Sequence, residues 1–392
     1  MESNDQPVTI ARNEKYYFES GDLVARVENS LFRFHSFHLR RATSSFDDTL
    51  DKIIADPSLP GSGNDETPLT LDGIDAKDFA ALLWFFYESA YKWSASVDRS
   101  DALIWESILL CAEKFQMLQV AKVACHALDR AGILGDIRKI SLCAKHRMGN
   151  AWVQKELKRV VSRSDALSAD EARMLGLDVT VILSAAREDW LHLPKTACYV
   201  QCAAPTCPQC GEPAVCFRSA HVCKPRFSKQ SAHYRDCPNE VTWSFNNSFE
   251  AQNAVVSKIN LIEEAGEYTA LAPASLRSFD KGYIGTGDVF FKVEERLFRI
   301  HSYHLRTASL VFADMFSLPS VEGQAAEGTS EDNPIHLHVE AYDFENLLYF
   351  FYDSAYEWSP TVDSTTIPLW ESVLRLAHKF DMEDAKRLRS ML

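Results

Sequence analysis

A chain of 392 residues with 46% hydrophobic and 24% charged residues has the composition of an ordinary globular protein, with length for two or three domains. Its net charge of −14 argues against binding of nucleic acid or an anionic membrane by the chain as a whole. The first residues lack the features of a secretory signal and the apolar runs are too short to span a bilayer, which predicts an intracellular protein, cytoplasmic or nuclear.

One segment occurs twice in the chain. The phrase FRFHSFHLR at Phe32 returns as FRIHSYHLR at Phe298, 266 positions later. Residues 21–46 match residues 287–312 at 14 of 26 positions, and residues 79–120 match residues 344–385 at 21 of 42. A duplicated unit of about 100 residues has the size of one domain, whereas a solenoid needs more and shorter repeats.

The sequences of the two repeats predict the same order of strands and helices. Each repeat opens with Gly-Asp and a β-rich run (LVARV or VFFKV), and a polar turn and a second β-rich run follow, which predicts a hairpin. The phrase His-Ser-aromatic-His-Leu-Arg then leads from the strand end into a helix. After a polar loop we expect a short strand and two amphipathic helices, because apolar residues recur there at helical spacing. The repeat is therefore predicted to be α+β, a small sheet packed by helices.

The segment between the repeats has a different composition. Residues 126–196 predict helices, one of them opened by a capping-box pattern at Ser168 and Glu171. Residues 197–240 hold seven of the ten cysteines, and residues 241–283 predict a linker with a short helix. In a chain without an export signal, clustered cysteines favour a metal site over disulfides.

The cysteine cluster is a candidate zinc site. Cys207 and Cys210 lie two residues apart in CPQCG, where the glycine permits the tight turn that directs both thiolates at one ion. His233 and Cys237 give the best second pair. The alternatives for that pair are His221 with Cys223, Cys198 with Cys202, and Cys216. A loop with free thiols is the other interpretation, and both stay open.

The repeats resemble the BTB/POZ family, and the long polar loops resemble its fungal branch. The family pattern runs from Gly-Asp through a hairpin to a hydrophobic-x-x-His, a leucine, a small-residue turn and a phenylalanine. The first repeat carries it at Asp22, Phe32, His35, Leu39, Ser45 and Phe46. The second repeat carries it at Asp288, Phe298, His301, Leu305, Ser309, Phe312, Met315 and Phe316. The resemblance covers residues 16–125 and 284–390.

This resemblance implies a tandem arrangement. The predicted order is a BTB/POZ copy at residues 14–125, a helical extension at 126–196, a cysteine-rich insert with the candidate zinc site at 197–240, a linker with a short helix at 241–283 and a second BTB/POZ copy at 284–392. BTB domains are protein-interaction modules, so we expect a non-enzymatic protein that binds protein partners and oligomerises. No phosphate loop, nucleophile elbow or H-E-x-x-H motif contradicts this.

Two other functions remain as alternatives. Some BTB proteins are substrate adaptors for a cullin-type ubiquitin ligase, and these often carry a hydrophobic-x-Glu tripeptide that is missing here, since Ser320 precedes Glu322 by two residues. A zinc-containing transcriptional regulator is less favoured, because residues 198–240 lack a clean basic helix.

The shared phrase also predicts contacts. Each repeat has an H-x-x-H pair, His35 with His38 and His301 with His304, but two imidazoles are too few for a closed metal site. We expect the first histidine of each pair to tether its strand end to a helix. Phe46 and Phe312 are expected at the centres of their cores, each ending the helix over the sheet.

The two repeats are expected to pair with each other inside one chain, or else to form a homodimer. A linked partner is held at high effective concentration, which favours intramolecular pairing. The predicted contact joins the helices of SFHLRRATSSF and SYHLRTASLVF. It places Arg41, Ser44 and Ser45 opposite Thr307, Leu310 and Val311.

Overall fold

The computed structural model describes residues 10–56, 58–61, 64–91, 97–192, 200–201, 215–217, 220–222, 253–261, 282–318, 326–357 and 364–386. The chain divides into two compact units, one formed by residues 1–134 with 269–392 and the other by residues 135–268. Both repeats therefore belong to the first unit. Within the described ranges, no helix combines the length and apolarity needed to cross a membrane.

The first repeat begins with a four-stranded sheet in the order β1-β3-β2-β4. Its strands are β1 Ala11–Tyr17, β2 Leu23–Val27, β3 Ser30–Phe34 and β4 Leu69–Thr70. β2 and β3 form the predicted antiparallel hairpin, while β1 pairs with β3 and β4 pairs with β2 in parallel. The hairpin follows from two short β-prone runs that flank a two-residue polar turn.

In the described residues of the first repeat, five α-helices follow this hairpin. They are α1 Ser36–Ala42, α2 Asp47–Ala55, α3 Ala76–Tyr87, α4 Ala102–Lys114 and α5 Leu118–Arg130. The core lies between β3 and α3, where the Phe79 ring packs edge-on against Phe32 and Phe34 at 5.1 and 5.5 Å. The helix α5 continues across position 126, where the helical extension was predicted to begin.

The described part of the second unit is mainly helical. It contains α6 Asp136–His146, α7 Gln154–Ser162, α8 Ala169–Leu175 and α9 Leu177–His192. The predicted capping box is confirmed at α8, because the Glu171 amide donates to Ser168 Oγ at 3.2 Å and the Ser168 amide donates to Glu171 Oε2 at 2.8 Å. A small antiparallel sheet of β5 Val200–Gln201, β6 Val215–Phe217 and β7 Ala220–Val222 follows.

A segment that the sequence predicted as linker contributes to this helical core. Residues 253–256 form a helical turn, and Val255, Val256, Ile259 and Leu261 are buried in the same apolar cluster as Leu157 and Leu183. The apolar residues of this short stretch are thus buried against the helices rather than left to solvent.

The second repeat has the hairpin, the short parallel strand and the helices of the first in the same order, but its sheet has three described strands rather than four. Its sheet has the order β10-β8-β9, with β8 Val289–Val293, β9 Arg296–Ile300 and β10 Ile335–Leu337. Its helices are α10 Ser302–Ala308, α11 Leu310–Ser317, α12 Ala341–Tyr352, α13 Ile367–Lys379 and α14 Glu383–Lys386. Phe344 packs on Phe298 at 5.0 Å, as Phe79 packs on Phe32. The α+β prediction with small sheets is confirmed.

The two phenylalanines expected at the packing centres differ. Phe312 lies inside α11, is 1% exposed and packs on Phe380 at 4.7 Å. Phe46 is only half-buried, at 5.2 Å from Phe115, so the expectation was wrong for this residue. The reason is the start of the helix: α11 begins two residues before Phe312, whereas α2 begins one residue after Phe46. Neither phenylalanine ends its helix.

Candidate functional site

The two repeats contact each other through their shared phrase. The rings of His35 and His301 lie 4.2 Å apart between centroids, and those of His38 and His304 lie 5.8 Å apart. In each pair the two positions differ by 266, so each histidine meets its own counterpart. Contacts between equivalent residues are those that two copies make across a two-fold axis. We call this region the repeat contact.

Aromatic rings surround these histidines in matched pairs. Phe37 packs edge-on against Tyr352 at 5.2 Å, and Tyr303 packs edge-on against Tyr87 at 4.8 Å. Tyr303 also packs on Phe18 at 4.3 Å. Because Phe37 corresponds to Tyr303 and Tyr352 to Tyr87, these two edge-on contacts are equivalent across the repeats. Phe37 is buried in the same apolar cluster as the core of the second repeat.

The first histidine of each pair tethers the end of the hairpin to a helix. The backbone N–H of His35 donates to the Tyr87 hydroxyl at 3.0 Å, and Nδ1 lies 2.9 Å from the same hydroxyl. His301 makes the same two contacts with Tyr352, each at 3.1 Å. Tyr87 and Tyr352 are the last residues of α3 and α12. Both tyrosines are therefore part of the site, and the repeated Phe-Phe-Tyr ending was the signal for them.

The Gly-Asp pairs hold the start of the helix that follows. Asp22 accepts from the Ser36 amide at 2.7 Å and from the Ser36 hydroxyl at 2.5 Å, and Asp288 accepts from both groups of Ser302 at 2.6 Å. A carboxylate at a helix start satisfies amides that have no partner inside the helix. Leu39 and Leu305, one turn further on, are fully buried.

His38 and His304 lie at the centre of the contact. Each is at most 2% exposed, and each ring stacks on a phenylalanine of its own repeat, Phe86 and Phe351 respectively. Burial lowers the pKa of both imidazoles, that of His304 to about 3. In the described part of the chain, neither Nε2 atom has a hydrogen-bond partner. The site therefore favours the neutral form of both rings.

One side of the repeat contact carries an ion pair. Arg41 Nε donates to Asp353 at 3.2 Å, and its guanidinium lies over the ring of Tyr356. Gln119 donates to the backbone carbonyl of Tyr356 at 2.9 Å. The position equivalent to Arg41 is Thr307, so the ion pair has no counterpart on the other side.

The predicted opposition of Arg41, Ser44 and Ser45 to Thr307, Leu310 and Val311 is wrong. Arg41 instead reaches Asp353, beyond the end of α12. Leu310 is 75% exposed and Val311 is 48% exposed, and Ser44 and Ser45 are exposed as well. The contact is made earlier in the phrase, by His35 immediately before α1 and by Phe37 and His38 in its first turn, all of which are buried.

Metal binding finds no support in the residues that the structure describes, since they contain no group of three or more His, Cys, Asp or Glu placed to hold an ion. This includes both H-x-x-H pairs. The candidate zinc ligands Cys207, Cys210, Cys223, His233 and Cys237 lie outside the described residues, and so does the side chain of His221 in β7. The zinc site stays a prediction.

Comparison with known proteins bears on the second repeat. A family model of the BTB/POZ domain matches residues 279–391. The chain contains a BTB/POZ domain. The match spans every element from β8 to α14. BTB/POZ domains mediate protein–protein interaction and dimerisation, and they are typically not enzymes. Comparison of the chain with the curated proteins and with the solved structures found no significant match.

Proposed function

We propose that this chain is a tandem BTB/POZ protein, in which residues 14–125 form a second BTB/POZ copy and the two copies pair within one chain as a non-enzymatic interaction module. The observation that carries this proposal is the contact of His35 with His301 and of His38 with His304, each residue with its own counterpart. Both repeats also share the strand order around a central hairpin and the tyrosine tether.

Pairing inside one chain removes the need for a second molecule. BTB/POZ domains dimerise, and a C2 dimer uses the same surface on both subunits. Here the two surfaces are joined by one chain, which raises their effective concentration. The free faces of the pair would then bind protein partners.

The test is the mass of the full chain in solution. Light scattering over a wide range of concentrations is expected to give the mass of one chain, 44.3 kDa. The variant F37D/Y303D, which charges both aromatic anchors of the repeat contact, is expected to expose the pairing surfaces and to associate or aggregate. A wild-type mass of two chains that the same variant reduces to one would contradict intramolecular pairing and support a homodimer.

A cullin-type adaptor remains the second candidate, because the second repeat exposes an apolar surface at α11. Leu310, Val311 and Leu318 are 75%, 48% and 72% exposed, and exposed apolar patches often mark protein-binding sites. The first repeat has the polar residues Ser44 and Ser45 at the positions of Leu310 and Val311. The partner surface would therefore belong to the second repeat alone.

Affinity purification with mass spectrometry tests this candidate. Cullin subunits are expected with the wild type and with the control S44E/S45E, and are expected to be lost with L310E/V311E. Their absence from the wild-type eluate would reject the adaptor function, and equal recovery with both variants would reject α11 as the surface that binds the cullin.

A further inference from the structure

We propose that the repeat contact is an acid-sensitive switch, in which protonation of the four buried histidines separates the two BTB/POZ copies, with His38 and His304 as its central residues. This inference rests on the intramolecular pairing proposed above. It concerns the conditions under which the pairing surfaces become available to other proteins.

The first argument is the geometry of the cluster. His35, His38, His301 and His304 are each at most 2% exposed, and they meet as two cross-repeat pairs. Separation of the repeats would expose all four imidazoles at once. Histidine is the side chain whose unperturbed pKa lies near neutral pH. Four histidines are buried at this single contact.

The second argument is the lack of hydrogen-bond partners for a protonated imidazole at the centre of the contact. His35 and His301 already use both ring nitrogens, on a tyrosine and on Ser20 or Thr286. His38 and His304 stack on Phe86 and Phe351, and their Nε2 atoms make no hydrogen bond in the described structure. An imidazolium placed there would be a charged donor without a partner, which is costly in an apolar site.

The charged and titratable groups around the cluster do not compensate for such a charge. The carboxylates Asp22 and Asp288 act on His35, where they oppose the effect of burial, but both are held by serines at the helix starts. The phenols of Tyr87, Tyr303 and Tyr352 stay neutral because burial raises their pKa values. Arg299, on β9, further lowers the pKa of His301. None of the four imidazoles hydrogen-bonds to a carboxylate in the described residues.

The sign of the pH effect follows from these shifts. In the paired state burial lowers the pKa of all four histidines, whereas exposed imidazoles have a pKa of about 6.5. Pairing is therefore undiminished above this pH and weakens as the pH falls from there towards the lowered values. As the pH falls, protonation of each histidine raises the opening constant by up to about tenfold per pH unit. Four histidines together raise it by up to about ten-thousand-fold per pH unit.

Hydrogen exchange with mass spectrometry on the full chain measures this opening. The amides of α1 and α10 report on separation, while the hairpins β2–β3 and β8–β9 report on whether each copy stays folded. From about pH 7.5 to about pH 5.5, after correction for intrinsic exchange, protection of α1 and α10 is expected to fall while the hairpins keep theirs. In H38L/H304L the slope of the logarithm of the opening constant against pH is expected to fall by up to about two.

The control is H336Q/H378Q, which removes two exposed imidazoles of the same unit and is expected to keep the wild-type slope. If H38L/H304L does not fold, H38Q/H304Q removes the same charges with polar, non-titrating side chains. An unchanged slope in the folded variant, or no slope in the wild type, would overturn the switch. Unprotected α1 and α10 at neutral pH would instead overturn the pairing itself.

Discussion

Arg41 of the first repeat forms an ion pair with Asp353 of the second, and the equivalent positions hold Thr307 and Glu88. Glu88 is held within its own repeat by Lys15 and the Tyr16 hydroxyl, each at 2.8 Å. Pairing of the second repeat with another copy of itself would bring Thr307, not an arginine, to Asp353. The ion pair therefore favours contact between unlike repeats.

Reversal of either charge is expected to destabilise the repeat contact. The side chains of Arg41 and Asp353 are 9% and 18% exposed, and breaking a buried pair costs about 3 kcal/mol because a buried charge loses its counter-charge. R41D and D353R should each lower the free energy of unfolding in urea, and R41D/D353R should recover at least part of the loss.

The control for this double-mutant cycle of Arg41 and Asp353 is K77D, which breaks the exposed ion pair of Lys77 with Asp75 in the same unit. Exposed pairs contribute little to stability, so this variant should unfold like the wild type. If the losses in the free energy of unfolding of R41D and D353R simply add in the double variant, Arg41 and Asp353 do not interact.

Phe312 and Phe46 occupy equivalent positions with unequal burial, and truncation should reveal the difference. F312A removes a side chain that is 1% exposed and is expected to cost about 3–5 kcal/mol in the free energy of unfolding. F46A removes a half-buried ring and should cost clearly less. Urea denaturation of the two variants makes the comparison, and equal costs would contradict the different helix starts.

Gly287 precedes the helix-capping Asp288 where the chain passes close to β9. A Cβ atom there would lie 2.8 Å from both the backbone nitrogen and the backbone oxygen of Ile300, so the backbone must shift in G287A. We expect a loss of about 1–3 kcal/mol, measured by thermal or urea unfolding. G285A is the control, because a Cβ at the exposed Gly285 meets nothing within 4 Å. Equal stability of the two variants would refute the close approach.

Zinc content tests the cysteine-rich segment independently of the repeats. The sequence predicts about one zinc per chain, with Cys207 and Cys210 as two of its four ligands. Elemental analysis of the purified protein should find it, and C207S/C210S should lose it. C111S is the control: Cys111 is a buried thiol whose pKa burial raises to about 12, which makes it a poor ligand. A metal-free wild type would contradict the prediction.

Local pattern was sufficient to predict the hairpin of each repeat and the two amphipathic helices after its polar loop, but not β1 or the separate helices α2 and α11. The β2–β3 hairpin follows from two short β-prone runs around a polar turn, and the capping box at Ser168 follows from hydrogen bonds within one helical turn. Such features depend on neighbours a few residues apart, so that they can be read from a single sequence. The duplication itself was also visible in the sequence, and with it the expectation that the two repeats meet.

Only the tertiary structure decided which residues make the repeat contact. Arg41 and Asp353 are 312 positions apart, and no periodicity relates a charge in one repeat to a charge in the other. The same holds for His38 and His304: H-x-x-H spacing is compatible with a metal pair, a solvent-exposed pair or a buried pair. Burial by the other repeat selects among these, because it removes water from the imidazoles and thereby sets their charge.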